Sequence, residues 1–495
     1  MKTDQTTTAP KMAGPYLPQT ASKPAVARET RNGKTSPKAE APSQRVNDTG
    51  LICMANPEAV DTIKLYNWAD RSKWYGPNGR GGFCHYSDSQ TKSLIAESGF
   101  NRNIKDGQGN TAADRAQLWL TQNHSVAYAG PLSGHPVGLH TYGDRRFLVT
   151  ECPSQLTPRP GDWPTIRRLI ESLLADPEHP QVAIFYTWAA ASFSAYWRRM
   201  NSPGPWSFHF CPALAIFGPR QCGKSALIDL VLVPMFGGRK GDPMNYLREQ
   251  RFNKDLFAAP LLVLDDKGAS ANLAERRERG ERMKDLIWKE QQRMEGKGVD
   301  ALMLSPFWRL VIAGNNDDAG LQVCPALSPS LEDKLLILLA RPAEGLPAGH
   351  EANAEWVRAI QNELPAFAAF LLSYCPPPTL PLNERSRVAT FQHPELVAAL
   401  RDMQPEMRLF ELMDGLSLIA ADTPCWEGSA TEFERAMRGK DNDGILDRIF
   451  TTGTSAGRML SELARVYPDR VEKRNWNGTA HYRILRAKSQ STPTR

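Results

Sequence analysis

Eight consecutive residues, Gly218-Pro-Arg-Gln-Cys-Gly223-Lys224-Ser225, restrict the fold of this chain more than any other segment. They follow the apolar run Ala213–Phe217, which reads as a buried strand, and precede Ala226–Val233, which reads as the start of a helix. The glycines let the backbone curl so that successive N–H groups face an anion lying on the helix N-terminus. Gly218, Pro219, Arg220, Gln221, Cys222, Gly223, Lys224, Ser225 and Ala226 are therefore the expected contacts of a nucleoside triphosphate. The Lys224 ammonium can reach the β- and γ-phosphates of ATP, and the Ser225 hydroxyl can ligate Mg²⁺. A tight turn carrying a surface lysine is the bland alternative, and it needs neither strand nor helix around it.

Two downstream segments supply chemistry for such a loop. Leu261–Leu264 is an apolar run ending in Asp265-Asp266, which would place carboxylates at the carboxyl edge of a sheet. Asp265 is assigned to the metal, and Asp266 to orienting or deprotonating the attacking water. A third strand, Leu310–Ala313, ends in Gly314-Asn315-Asn316. The Asn315 amide could hydrogen-bond both the γ-phosphate and the water, or the segment could be a strand-end turn, which Asn and Gly favour.

The order of these segments, with Lys284-Asp-Leu-Ile and Glu295-Gly-Lys297-Gly298 between the last two, resembles the A, B, B′ and C motifs of superfamily-3 helicases. The resemblance is in particular to the primase-helicase type carried by phages, prophages and plasmids. Phe252-Asn253, Gly237-Gly238-Arg239 and Arg145-Arg146-Phe147-Leu148-Val149 look like the same group, and the likeness spans roughly residues 65–485. It implies an α/β, P-loop AAA+-like parallel sheet with covering helices, flanked by an α+β N-terminal domain and a C-terminal winged helix. It also implies ATP hydrolysis with Mg²⁺, a hexameric ring of identical subunits on single-stranded and forked DNA, a primase acting in trans, and a place in the cytoplasm of a bacterial host. In that family the B′ lysine lies on a pore-facing hairpin and touches DNA, and Lys297 is its match. Flanking Gly296 and Gly298 agree with an exposed turn tip, and a solvated lysine without a partner is the alternative. One departure concerns the arginine finger. The family shows paired arginines before the next strand, whereas this chain has Glu332-Asp333-Lys334 and no arginine until Arg341. Lys334 and Arg341 are the two candidates, and a lysine is not an equivalent donor to the flat guanidinium fork. A DNA-binding NTPase that acts as a regulatory, defence or assembly switch, without unwinding, is the second reading.

The 495 residues suggest several domains, 41 % of them are apolar, and a net charge of +6 fits a nucleic-acid partner without requiring one. Eight scattered cysteines show no C-x-x-C and no His cluster at ligand spacing, so they read as reduced thiols, with Cys222, inside its loop, open to alkylation when no nucleotide is bound. No apolar run approaches the roughly eighteen residues needed to span a bilayer, so no membrane partner is expected.

Residues 1–50, rich in Thr, Ser, Pro, Ala and Lys, read as a disordered tail or as a linker to a primase. The expected units that follow are an accessory domain over 51–207, the ATPase over 208–345, a helical connection over 346–425, the winged helix over 426–487 and a tail over 488–495. In the accessory domain Ile63–Trp68 and Gly81–His85 read as a hairpin about Gly76-Pro-Asn-Gly79, and Tyr142–Glu151 as another turning at Gly143-Asp144. Gln90–Glu97, Ala112–Thr121, Trp163–Ala175 and Val182–Arg199 show helical spacing, and the aromatics Phe185, Trp188, Phe193 and Trp197 read as core. Ala274–Gln292 reads as one charged helix, and residues 353–373 as another before a Pro-rich break at 375–381. His393–Asp402, Pro405–Met413 and Ala430–Met437, capped by Ser429, read as helices, as does the amphipathic Ser455–Val466. Asn477-Gly478 between two alternating runs is a strong hairpin signal. From Ser455 onward there are nine Lys/Arg against three Asp/Glu. Arg458, Arg465, Lys473 and Arg474 are therefore the expected phosphate contacts, although such modules also dock proteins.

Overall fold

The structure is a computed structural model that describes residues 57–202, 209–248, 252–265, 273–297, 299–331, 333–403, 405–416, 418–419, 423–441, 444–450, 455–476 and 478–486. At its centre lie five parallel strands, β1 (Ala213–Phe217), β2 (Lys240–Gly241), β3 (Leu261–Leu264), β4 (Arg309–Gly314) and β5 (Leu335–Leu339). They pair in the order β5-β1-β4-β3-β2. Side chains alternate faces along each strand. Leu214, Ile216, Val311, Leu336 and Leu338 join one core with the helices Pro164–Leu173, Gln181–Asn201 and His350–Ser373. Ala213, Ala215, Phe217, Leu310, Ile312 and Ile337 join the other, with Phe257, Met283 and Leu286. Burial on both faces is why β1, β3 and β5 are unbroken apolar runs. Phe185, Trp188 and Phe193 are buried in the first core and Trp197 packs against it, as the sequence suggests.

The exposed edge of β5 is covered. The Gln181 side chain donates to the Leu339 carbonyl and accepts from its N–H, while Ile337 exchanges backbone bonds with Phe391 and His393. Beside this edge the carboxylate of Asp176, 3 % exposed, accepts from the backbone N–H of Glu178 (2.9 Å) and from His393 Nε2 (2.9 Å). His179 Nδ1 and Gln181 Nε2 add contacts at 3.3 Å each. Spacing did not reveal this Asp-His-His group because His393 lies 217 positions from Asp176. Hydrogen bonds account for its geometry. Burial alone would raise the Asp176 pKa, but the Glu178 N–H and the two histidines outweigh it and hold the carboxyl at about 2. A folded value below the unfolded one, about 3.9, gives stability that is present above pH 4 and lost as pH falls towards 2. Asp176→Asn is expected to lower stability by about 1–2 kcal/mol at pH 7, with the gap closing near pH 2 in urea titrations. An equal gap at both pH values would show that the charge contributes nothing.

In the N-terminal region the strands Lys73–Pro77 and Phe83–Tyr86 form the hairpin, and Tyr66–Trp68 pairs with the first of them. The expected direct pairing of Ile63–Trp68 with Gly81–His85 is therefore corrected. Lys73–Pro77 sits between them because Trp74 must reach the core beside Leu65, and the turn moves to 78–82, where the Asn78 side chain accepts two backbone N–H groups. Gly138–Tyr142 and Arg145–Val149 form the second hairpin about Gly143-Asp144, with Gly143 at φ 59°.

The expected charged helix is shorter, Leu273–Trp288. Gln292 instead opens a hairpin, Gln292–Gly296 with Val299–Leu304, because Met294, Leu302 and Leu304 alternate into the second core. The C-terminal residues pack their own core, with Leu409, Phe433, Met437, Leu460, Val471 and Ile484. Helices Pro405–Gly415, Ala430–Arg438, Ile445–Ile449 and Ser455–Val466 surround an antiparallel sheet, Cys425–Ser429, Thr479–Leu485 and Val471–Trp476 in spatial order. Ser429 and Glu432 form the capping box, but residues 425–429 are also a strand, which the sequence reading missed. Among the described residues no helix is long and apolar enough to cross a membrane.

Candidate functional site

The carboxyl ends of β1, β4 and β3 are adjacent, and the segments leaving them close around one open cleft of about 620 Å³. From β1 the loop Gly218–Ser225 turns sharply, with Gln221 at φ 59° and Gly223 at φ 111°. Gly223 then caps a helix without a side-chain hydrogen bond. The helix runs through Lys224–Ala226, a π turn Leu227–Leu232 and Val233–Met235. It starts two residues before the expected Ala226. Pro234 lacks the N–H that would bond back one turn, consistent with the wider turn before it.

Lys224 is the centre of the loop. The residue is 9 % exposed, and its ammonium donates to the carbonyls of Gly218 and Pro219 at 2.8 Å each. It is a nearly buried cation held by neutral dipoles at the floor of a cleft, and an anion would bind it more strongly than carbonyls do. Ser225, Asp265 and Asn315 line the same cleft. The sequence places these four residues over about ninety positions, and the sheet brings them together. Their hydroxyl, carboxylate and amide oxygens are hard donors, which suit Mg²⁺. Gly218 and Pro219 contribute carbonyls to Lys224 rather than cleft surface, whereas Arg220, Gln221, Cys222, Gly223 and Ala226 do line it. Cys222 is 1 % exposed and belongs to the first core, with its thiol 3.6 Å from the Lys224 ammonium, which corrects its expected openness to alkylation. Asp266 lies outside the described residues.

The far wall was not foreseen. Leu346, Pro347, Asn353 and Trp356 come from the helix His350–Ser373 and the segment before it. They give an apolar and aromatic face with one amide, the chemistry a nucleobase uses. Their only sequence signal was a helix more than a hundred residues downstream.

Neither finger candidate lines this cleft. Lys334 precedes β5, at the opposite edge of the sheet, where it pairs with Asp333 at 2.6 Å and lies 4.9 Å from the Trp288 ring centroid. Arg341 follows β5 and is exposed, with its backbone N–H bonded to Leu173. Lys297 is exposed at the tip of its hairpin. Among the four C-terminal cations, Arg458 is exposed on Ser455–Val466, and Lys473 donates to Ser461 at 3.0 Å. Arg465 pairs with Glu462 at 2.6 Å and Arg474 with Glu472 at 2.8 Å. Surface pairs of this kind are weak and easily exchanged for a phosphate.

Residues 216–324 match a family described as of unknown function (DUF5906). That match takes in the Gly218–Ser225 loop, Asp265, Lys297 and Asn315. No curated protein matches the sequence. Among solved structures the chain is similar to the apo structure of the NrS-1 C terminal region (305–718), at 14 % identity and a TM-score of 0.51. The A form apo structure of the same region is similar at 13 % identity and a TM-score of 0.50. Each alignment covers 87 % of this chain and 98 % of the other. At such identity the likeness is one of fold, and it extends well beyond the central sheet.

Proposed function

We propose that this chain is an ATP hydrolase of the superfamily-3 helicase type, working on DNA in the replication of a phage, prophage or plasmid. The observation that supports this most is the convergence of Lys224, Ser225, Asp265 and Asn315 on one cleft, outside the carboxyl ends of three adjacent parallel strands. In this reading the sheet is a P-loop AAA+-like core and the helices and hairpin after residue 405 are a winged helix. Lys224 and the N–H groups at the start of its helix hold the β- and γ-phosphates. Ser225 and Asp265 would hold Mg²⁺, which supplies charge neutralisation at the bridging oxygen. Asn315 orients a water whose oxygen attacks the γ-phosphorus as the bond to the β-bridging oxygen breaks. A carboxylate at the end of β3 takes the proton.

A DNA-binding switch without unwinding is favoured by one observation, the local tie of Lys334 to Asp333 and Trp288, since a finger must be able to reach a neighbouring subunit. Steady-state ATP turnover with and without oligo-dT separates the two readings. A motor is expected to hydrolyse ATP several-fold faster with single strands, and turnover that ignores DNA would move the assignment to the switch.

A further inference from the structure

Four cations from three distant parts of the chain meet around the Lys297 hairpin. Arg71 donates from Nη2 to the Lys297 carbonyl at 2.9 Å, across 226 positions of sequence. It ends a short 3-10 turn, Ala69–Arg71, and Ser72 follows in the left-handed region at φ 46°. The chain doubles back there, so Lys73 lies opposite Trp68 in antiparallel register. The buried Trp68 ring has the Arg71 guanidinium 5.6 Å and the Lys254 ammonium 5.2 Å from its centroid. Lys254 is placed by its neighbour Asn253, whose backbone N–H bonds Glu295 at 3.0 Å. The Asn253 amide adds bonds to the Arg293 carbonyl (2.8 Å) and from the Glu295 N–H (2.7 Å), fixing this turn to the base of the hairpin.

The grouping is unfavourable by itself. Burial, then the charges of Arg71 and Lys73, push the Lys254 ammonium below the ordinary lysine range. Among the described residues none of Arg71, Lys73, Lys254 and Lys297 has a carboxylate within ion-pair distance. The Trp68 ring offsets part of the repulsion through its electron-rich face. Two residues before Lys254, Phe252 is an aromatic ring left 57 % exposed.

We propose that Arg71, Lys73 and Lys254 extend the Lys297 tip into a track for the phosphate backbone of single-stranded DNA, with Phe252 as a stacking face for a base. Cations spaced along a groove with an exposed ring are the chemistry of sequence-tolerant single-strand binding. The track rests on the reading of DNA as partner, and its Arg71, Lys73 and Lys254 lie outside the central sheet and outside the sequence motifs.

The test is the anisotropy of fluorescein-labelled oligo-dT titrated with the full chain over a salt series. Lys73→Gln and Lys254→Gln are each expected to weaken binding about three- to tenfold near 0.1 M salt and to reduce the salt slope by about 0.7 for each phosphate no longer neutralised. Lys73→Arg, which keeps the charge, should bind like wild type. So should Lys105→Gln, which removes an exposed lysine elsewhere in the same region. Melting curves establish that each variant is folded. If wild type binds and both glutamine variants match it in affinity and slope, the track is wrong while DNA remains the partner. If wild type does not bind oligo-dT even at low salt, the reading of DNA as partner falls and the track with it. If the variants weaken duplex binding but leave oligo-dT untouched, the single-strand assignment is overturned.

Discussion

Lys224→Ala is expected to lower kcat/KM for ATP hydrolysis by about a hundred- to a thousandfold. The ammonium donates to the Gly218 and Pro219 carbonyls at the start of its own loop, so it is already aimed at the space a phosphate would take. Exchanging two neutral acceptors for a phosphate dianion strengthens its hydrogen bonds, most of all as charge builds on the γ-phosphate oxygens. Lys224→Arg should not restore turnover, because the planar guanidinium cannot fold into a pocket bounded by Pro219 and Cys222. The fold should survive, since no other element of the sheet rests on this side chain. Circular dichroism melts therefore accompany the coupled ATPase assay, and titration with a fluorescent ATP analogue gives the loss of affinity separately. Turnover at the wild-type rate in a folded alanine variant would remove this cleft from the chemistry altogether.

The sequence carried the site further than it carried the surroundings, for a physical reason. A strand buried on both faces is apolar along its buried run, so β1, β3 and β4 were legible to within a residue or so. The Gly218–Ser225 loop was legible because its left-handed turns and close approaches admit few residue types. Asp265 and Asn315 followed as the residues that end neighbouring strands. What could not be read were contacts between segments far apart in the chain. Trp356 reaches the cleft from a helix whose pattern shows only that one face is buried. Arg71 meets Lys297 across 226 positions, and His393 meets Asp176 across 217. The misread hairpin at Ile63–Trp68 has the same origin. Its turn was read two residues early, since Gly76 and Pro77 belong to a strand, and the choice of partner strand was made by Trp74 and Leu65 packing together in a small core. In Leu273–Trp288 helical charge spacing was extended too far, because Gln292 and Met294 change to a period of two without any breaker between them.

Gly218→Ala is the substitution expected to have a comparable effect without removing any functional group. A β-carbon at this position would lie 2.3 Å from the Ala340 carbonyl oxygen and 2.8 Å from the Ala340 β-carbon. Neither is the flexible end of a side chain. Ala340 is held by its N–H bond to Phe217, and the Gly218 N–H bonds Gly314 at the end of β4. Relief must therefore come from moving the start of the loop away from β5. Overpacking of this kind costs about 1–3 kcal/mol, and a displacement near 1 Å at a positioned catalytic group can cost about a hundredfold in rate. The Gly218 carbonyl is one of the two acceptors that hold Lys224, so the displacement is transmitted directly to the ammonium. Ala340→Gly in the same chain should rescue little, because the nearest obstruction is backbone oxygen rather than the methyl group. Gly107→Ala, where an added carbon meets nothing within 4 Å, is the matched control and should stay within about 0.5 kcal/mol of wild type. Urea titrations and the ATPase assay on the three variants decide the matter. A Gly218→Ala chain that is as stable and as active as wild type would mean that the β5 end does not fix the loop.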